Sequence, residues 1–349
     1  MSKKIISILL CFVLVLGSGF SAFAEEKQLK NIPESVRIFD GIGELLRSFF
    51  GIFCVRVNYP DCEKLCPIPD IDKNYVPQGF CYIDSMGLFA VSSYSADDEN
   101  SILSLIDAKS GERLKTVKLC YEDSTPCKAY VGGVADIGDS LLISSGKSVR
   151  RLKLSDVMST EDYGYVNYCG KFATDMQASY VCSYENYLFI GQFYSFTLDG
   201  SYDTPVEQRI YTPDGGRNYA MCEKYDMSDL DKMFSEGSGT PLMVISMPNA
   251  VQGIAYNGET FVTSTSYTFN NASKMRYYKL AESEHSFNLN DNDVPLYFLS
   301  EKSAVKTTKV PPMSEGIDWY NGKVAGIFES GANKFFYSLV RTPYICQFK

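Results

Sequence analysis

Short runs of mainly apolar residues, separated by turn residues, fill the chain from Val76 to its end. In the first such stretch, the runs are residues 79–82, 88–93, 101–107 and 114–119. Runs of this length and composition are typical of β-strands. Asn257-Gly258 and Asn321-Gly322 each lie between two runs, and Asn-Gly indicates a hairpin because both turn positions need positive φ. No alternation of strands with long helices is visible, so the pattern predicts an all-β fold.

A short motif recurs about every 59 residues along this region. Its five occurrences are Gln78-Gly79, Gly132-Gly133, Gln177-Ala178, Gln252-Gly253 and Glu315-Gly316. Five units of about four strands each predict a five-bladed β-propeller, which must close into a ring to protect its edge strands. A β-sandwich with long loops is the alternative architecture.

The two ends of the chain carry additional elements. Apolar residues at helical spacing over 33–50 predict a helix, and residues 62–69 are predicted to form a loop. Strand-like runs at 53–59 and 344–348 are expected to meet or flank each other in the closing blade, where Cys54 and Cys346 could form a disulfide. We therefore divide the chain into a leader (1–24), an N-terminal preamble with a helix and a Cys-rich loop (25–75) and the propeller (76–349).

The leader has the composition of a signal peptide. Lys3 and Lys4 precede an apolar run at 5–16, and Ala22-Phe23-Ala24 matches a cleavage site. A membrane anchor is the alternative, but the run is shorter than the roughly 20 residues that span a bilayer. The sequence predicts a secreted, extracellular protein with no membrane span after the leader is removed.

Charge and cysteine content narrow the function classes. The formal net charge is -9, and a nucleic-acid-binding protein would need a basic face that this balance does not favour. Ten cysteines follow the leader, and an even number in an exported chain predicts disulfides. A zinc site is the alternative, but there is no Cys-x-x-Cys pair and His285 is the only histidine. The spacing leaves the connectivity open.

Two segments resemble a known family. Residues 76–80 read Val-Pro-Gln-Gly-Phe, and 251–256 read Val-Gln-Gly-Ile-Ala-Tyr. These segments resemble blades of secreted propellers, including the glutamine-cyclotransferase-like (plant-type glutaminyl cyclase) group, which opens a blade with Phe-Thr-Gln-Gly-Leu. The resemblance implies a five-bladed propeller. It does not extend to that group's catalytic Gly-Glu-Gly motif, because Val131-Gly132-Gly133 stands in the matching place.

The residue before each repeated glycine is the candidate site, because the first strand of a propeller blade lies nearest the central channel. We expect Gln78, Gln177, Gln252 and Glu315 to form a polar ring there. Such a ring could bind a small polar ligand, or calcium if Asp318 or Asp136 joins it. Alternatively, these side chains hydrogen-bond one another and plug the channel. A buried Glu315 would have a raised pKa and could act as a catalytic acid or base.

Two functions follow from this reading. The first is a secreted binding module that presents a loop face, including the insertions at 196–217 and 282–293, to a protein, peptide or glycan. The second is a propeller enzyme, a hydrolase or cyclotransferase, that acts through the channel around Gln78, Gln252 and Glu315. A plugged channel with an exposed aromatic patch over 193–211 favours binding, whereas an open channel with a perturbed Glu315 favours catalysis.

Overall fold

The computed structural model describes residues 29–51, 59, 62–197, 199–266, 268–269, 271–280, 285–289 and 291–349. The predicted signal peptide and Cys54, with its predicted disulfide to Cys346, lie outside the described residues. Within the described ranges, no helix combines the length and apolarity needed to cross a bilayer.

Five antiparallel sheets form the body of the chain, which confirms the predicted five-bladed β-propeller. From the channel outward, blade 1 contains Tyr75–Ile83, Leu88–Ser95, Ile102–Asp107 and Arg113–Cys120, with Tyr165–Asn167 added in parallel at its edge. Blade 2 contains Gly133–Ile137, Ser140–Ser145, Ser148–Lys153 and Gly170–Ala173. Blade 3 contains Tyr180–Tyr184, Tyr187–Gly191, Ala220–Asp226 and Met243–Met247, extended by Asn292–Phe298 and His285–Leu289. Blade 4 contains Val251–Tyr256, Thr260–Thr265, Ser273–Lys279 and Lys306–Val310, and blade 5 contains Ser314–Tyr320, Lys323–Phe328, Tyr344–Phe348 and Cys62–Pro67.

The remaining elements of the described residues are short, apart from one helix before the propeller. The helices among these residues are Glu34–Gly51, Leu154–Ser159 and Leu230–Glu236. The 3-10 turns are Ile71–Lys73, Val206–Gln208, Glu329–Gly331 and Asn333–Phe335, and a small ribbon pairs Ile210–Tyr211 with Arg217–Asn218.

Blade 5 combines a strand that precedes blade 1 in the sequence with the C-terminal strands. Cys62–Pro67 pairs antiparallel with Tyr344–Phe348 and forms the outer edge of the sheet. The prediction of a strand at 344–348 is confirmed, whereas the prediction of a loop at 62–69 is wrong. The exposed Glu63 and Lys64 hide the strand pattern, because charged residues and proline are common on edge strands that must not pair further.

The boundary between blades 3 and 4 also differs from the sequence pattern. We predict the run at 296–299 as the outer strand of the fourth unit. Instead, Asn292–Phe298 pairs in parallel with Met243–Met247 of blade 3, and Lys306–Val310 completes blade 4. An apolar run indicates a strand but does not show which of two neighbouring sheet edges the strand joins.

The N-terminal helix Glu34–Gly51 confirms the helix prediction, but its polar side contacts the propeller. Arg37 forms a salt bridge with Asp203 at 2.6 Å, and Gly41 lies directly against the ring of Phe196. The apolar residues predicted to share one face, such as Leu46, are largely exposed. Charge pairing and close packing at glycine therefore hold the helix on the insertion of blade 3.

Disulfides are not present among the nine described cysteines after the leader, all of which are free thiols. In blade 5, the thiols of Cys62 and Cys346 share a hydrogen bond. Main-chain pairing and apolar packing therefore hold the ring closed in this structure.

Four glycines allow the innermost strands to pack backbone against backbone around the channel. This glycine ring consists of Gly79, Gly133, Gly253 and Gly316. A Cβ atom on Gly133 would lie 2.5 Å from the backbone nitrogen of Val181, and one on Gly316 would lie 2.5 Å from that of Phe80. Residues before the glycines line one cavity and residues after them line another, so the glycine ring separates two ends of the channel.

Replacement of Gly133 by Ala should destabilise the propeller, because the added methyl group meets backbone atoms that cannot rotate away. We expect a loss of about 1–3 kcal/mol in the free energy of unfolding, measured by urea denaturation. The matched control is Gly43→Ala, since a Cβ atom there meets no atom within 4 Å and alanine favours the helix by about 0.5–1 kcal/mol. Equal shifts in the two variants would contradict the role of the glycine ring.

Candidate functional site

Three of the predicted ring residues lie at β-bulges of their strands: Gln78, Gln252 and Glu315. At each of these residues, the pairing with the second strand of the blade is interrupted and its register shifts. A bulge redirects a side chain and is common next to active sites. The three residues precede the glycine ring and lie at the same end of the channel.

Two carboxyl groups at this end each accept a hydrogen bond from a glutamine. Nε2 of Gln252 donates to Oε1 of Glu315 at 3.1 Å, and Nε2 of Gln78 donates to Oε1 of Glu329 at 2.6 Å. Glu315 is only 3% exposed. The two carboxyl groups belong to blade 5, and each is oriented by a glutamine amide from a neighbouring blade.

Glu329 was not predicted as a site residue. It follows directly after the second strand of blade 5 and begins the 3-10 turn Glu329–Gly331. The sequence did contain a signal for it, because the Asn321-Gly322 turn fixes the hairpin register. That register pairs Ile317 with Gly326 and, if continued, would place Glu329 opposite Ser314. The bulge shifts the pairing by one residue, so that Ser314 pairs with Phe328 and Glu329 follows directly.

Burial raises the pKa of both carboxyl groups. Burial raises the pKa of Glu315 well above its usual value, and the charge of Glu329 raises it further. Burial also raises the pKa of Glu329 to about 7, against the hydrogen bond from Gln78 and the charge of Lys334. The pKa of Glu315 is therefore shifted strongly towards the protonated form, while Glu329 is close to its midpoint at neutral pH.

The cavity in front of this pair is small and contains both hydroxyl and apolar groups. The front cavity has a volume of about 250 Å³. Besides Gln252 and the two carboxyl groups, it is lined by Phe193, Ser195, Ser266, Thr268, Phe269 and Met313. No lysine or arginine is among these lining residues, so the cavity favours uncharged polar ligands over anions.

Exposed aromatic residues extend from one wall of the front cavity, where Phe269 lines it. The ring of Phe269 packs edge-on against Tyr337 with centroids 5.4 Å apart. Tyr337 is 51% exposed and Phe336 is 76% exposed. We call Phe269, Phe336 and Tyr337 the aromatic rim.

Tyr94 connects the carboxyl pair to a nearby lysine. Its hydroxyl accepts a hydrogen bond from Nζ of Lys334 at 2.7 Å, and its ring lies 4.4 Å from that of Tyr130. Burial raises the pKa of Tyr94, and the charges of Glu329 and Glu315 add to the effect. Tyr94 therefore keeps its proton throughout the neutral range.

Two predicted site residues lie away from this cluster. The side chain of Gln177 is exposed and precedes the inner strand Tyr180–Tyr184, because the third unit lacks the glycine that marks the inner strand in the others. Asp318 lies beyond Gly316 and lines the cavity at the other end of the channel. Its carboxylate accepts hydrogen bonds from the backbone nitrogens of Tyr82 and Trp319 at 2.8 and 2.7 Å.

The described residues contain no ligand set for the calcium ion considered from the sequence. Glu315 and the proposed additional ligands, Asp318 and Asp136, line cavities on opposite sides of the glycine ring. Among the described residues, no group of three or more His, Cys, Asp or Glu side chains is placed to hold a metal ion.

The raised pKa of Glu329 predicts a pH-dependent stability. A carboxyl group whose pKa rises on folding binds its proton more tightly when folded, so its ionisation destabilises the fold as pH rises from about 4.5 to 7. Glu329→Gln removes this ionisation. We expect the variant to exceed the wild type by about 3 kcal/mol in unfolding free energy at pH 8 and to match it at pH 4.5.

Urea denaturation at the two pH values measures this difference. The control is Glu259→Gln, whose exposed side chain pairs with Lys279 at 3.0 Å and should give the same small change at both values. A Glu329→Gln difference that does not change with pH would contradict the shifted pKa.

This chain resembles known proteins only in the arrangement of its strands. No protein-family profile matches the sequence, and no curated protein matches it significantly. A crystal structure of glutaminyl cyclase from Myxococcus xanthus is similar over 82% of this chain and 94% of that chain, with 9% identity and a TM-score of 0.38. A GH43_1 enzyme from Xanthomonas citri is similar over 86% of this chain and 92% of that chain, with 9% identity and a TM-score of 0.41. Similarities of this size carry no argument about activity, so the function must be argued from the site itself.

Proposed function

We propose that the chain is a propeller enzyme in which Glu315 and Glu329 transfer protons to and from a small polar substrate in the front cavity. The observation that carries the proposal is the buried carboxyl pair, one member of which has a pKa of about 7. General acid–base catalysis is most effective when the pKa of the group lies near the working pH. Two carboxyl groups with different proton affinities also supply an acid and a base together.

In this proposal, the different proton affinities of the two carboxyl groups give each a role. Glu315 carries its proton at neutral pH and donates it to the leaving group as general acid. Glu329, once ionised, accepts a proton from the attacking nucleophile, which is water in a hydrolase and a group of the substrate itself in a cyclotransferase. Gln252 and Gln78 are positioning residues, because each donates to one oxygen of its carboxyl group and leaves the other oxygen for proton transfer.

The lining of the front cavity supports an uncharged, hydrogen-bonding substrate. Ser195, Ser266 and Thr268 offer hydroxyl groups, while Phe193 and Phe269 offer aromatic surface. A volume of about 250 Å³ suits one sugar unit or the end of a peptide. Export, which the composition of residues 1–24 favours, would place such a substrate outside the cell.

One observation favours the alternative of a non-catalytic binding module. The aromatic rim is exposed beside the cavity and would extend contact to a larger glycan or peptide. The segment at 193–211, in contrast, is not an open aromatic patch. Tyr194 and Phe196 are buried, although Tyr202 is 51% exposed.

Isosteric amide variants separate these two functions. We expect the wild type to turn over chromogenic glycosides or neutral peptides. In Glu315→Gln and Glu329→Gln, kcat should fall by about 10²- to 10⁴-fold, the usual contribution of a general acid–base group. Thermal shifts should show that Glu315→Gln still binds the same compounds, and Glu259→Gln should keep full activity.

The pH dependence adds an independent test. The limb of the kcat/KM profile that reports the base in the free protein should have its midpoint near pH 7 and should disappear in Glu329→Gln. Compounds that bind without turnover would refute the enzyme and leave the binding module, whereas turnover that survives in Glu315→Gln would refute the role of Glu315 as general acid. Failure of every sugar and peptide to bind would refute the proposed substrate class.

A further inference from the structure

A second cavity lies on the other side of the glycine ring. This back cavity has a volume of about 580 Å³ and is formed by residues that follow the glycines in the inner strands. Asp136 and Asp318 lie on two of these strands, and Tyr184 and Tyr256 end two others. It shares no lining residue with the front cavity.

The back cavity is strongly acidic. Four carboxyl groups line it, namely Asp84, Asp136, Glu185 and Asp318, and its lining contains no lysine or arginine. Burial raises the pKa of Asp136 to about 6 and that of Asp318 to about 7, with repulsion between acidic neighbours adding to both. No basic side chain offsets either shift, so a cationic ligand would relieve this repulsion.

Polar atoms in this cavity also lack hydrogen-bond partners. Oδ1 of Asp136 and Nε1 of Trp319 are buried and have no partner among the described residues. A buried carboxylate oxygen without a donor costs free energy that a bound donor would recover. Asp318, in contrast, is held by two backbone N–H groups, which fix its carboxylate at the edge of the cavity without neutralising its charge.

Aromatic rings complete the walls. Tyr184 and Tyr256 meet edge-on with centroids 5.2 Å apart, and Trp319 and Tyr82 also line the cavity. Aromatic faces attract cations, and tryptophan does so most strongly. A calcium ion would need six to eight oxygen ligands close together, whereas the described residues offer no such group. Carboxyl groups spread around a cavity of this size suit a larger cation.

We propose that the back cavity binds an organic cation of the alkylammonium type. The ammonium group lies between Asp136 and Asp318 and donates to the unpartnered Oδ1 of Asp136. The carbon chain contacts Tyr184, Tyr256 and Trp319. This inference is independent of the proposed enzyme, because the two cavities share no residue.

Calorimetric titration of the full chain with n-butylammonium at pH 8, where both aspartates are ionised, tests this site. We expect binding that weakens at least about tenfold in Asp136→Asn, which keeps the shape of the side chain and removes its charge. Glu259→Gln is the charge-matched control and should bind as the wild type does. The neutral probe n-butanol should not bind.

A measurement on the wild type alone tests the site even if Asp136→Asn does not fold. The melting temperature of the wild type should rise in butylammonium chloride relative to sodium chloride at the same ionic strength. Equal melting temperatures, equal binding of butanol, or stabilisation by calcium chloride alone would overturn the proposal.

Discussion

Close contact between the backbones of the innermost strands is the constraint on which the rest of this structure depends. The glycine ring allows that contact, and each glycine leaves too little space for even a methyl group. The consequence is a channel narrowed at its middle, with a separate chemical environment at each end. Glu315 and Asp318 are only three residues apart on one strand, yet they line different cavities.

The two cavities differ in the hydrogen bonds that their buried carboxyl groups receive. At the front, burial raises the pKa of both carboxyl groups, and Gln78 and Gln252 each donate an amide hydrogen bond to one of them. At the back, Asp136 has an oxygen with no donor among the described residues. A carboxyl group that is already held by a donor is suited to proton transfer. A carboxyl group that lacks a donor is suited to binding a ligand that donates a hydrogen bond.

Much of the fold could be predicted from the sequence, because the repeated glycine and the Asn-Gly turns report local geometry that any propeller blade requires. The same repeat located Gln78, Gln252 and Glu315. It misplaced Gln177, since the third unit lacks the glycine, and it could not assign 292–298 to blade 3, because sheet partners depend on contacts distant in sequence. Glu329 was missed although the hairpin register pointed to it. The pairing of Cys62–Pro67 was hidden by its edge charges.

The closing blade has a consequence for how the molecule is made. Its outer strand comes from near the start of the chain and its neighbour from the last residues. Tyr344–Phe348 leaves the ribosome after the strands of the other four blades, and until then the ring lacks the segment that seals it. Such distant pairing makes ring closure a late and slow step. Before that strand emerges, the nascent protein is an open arc whose exposed sheet edge needs protection from other chains.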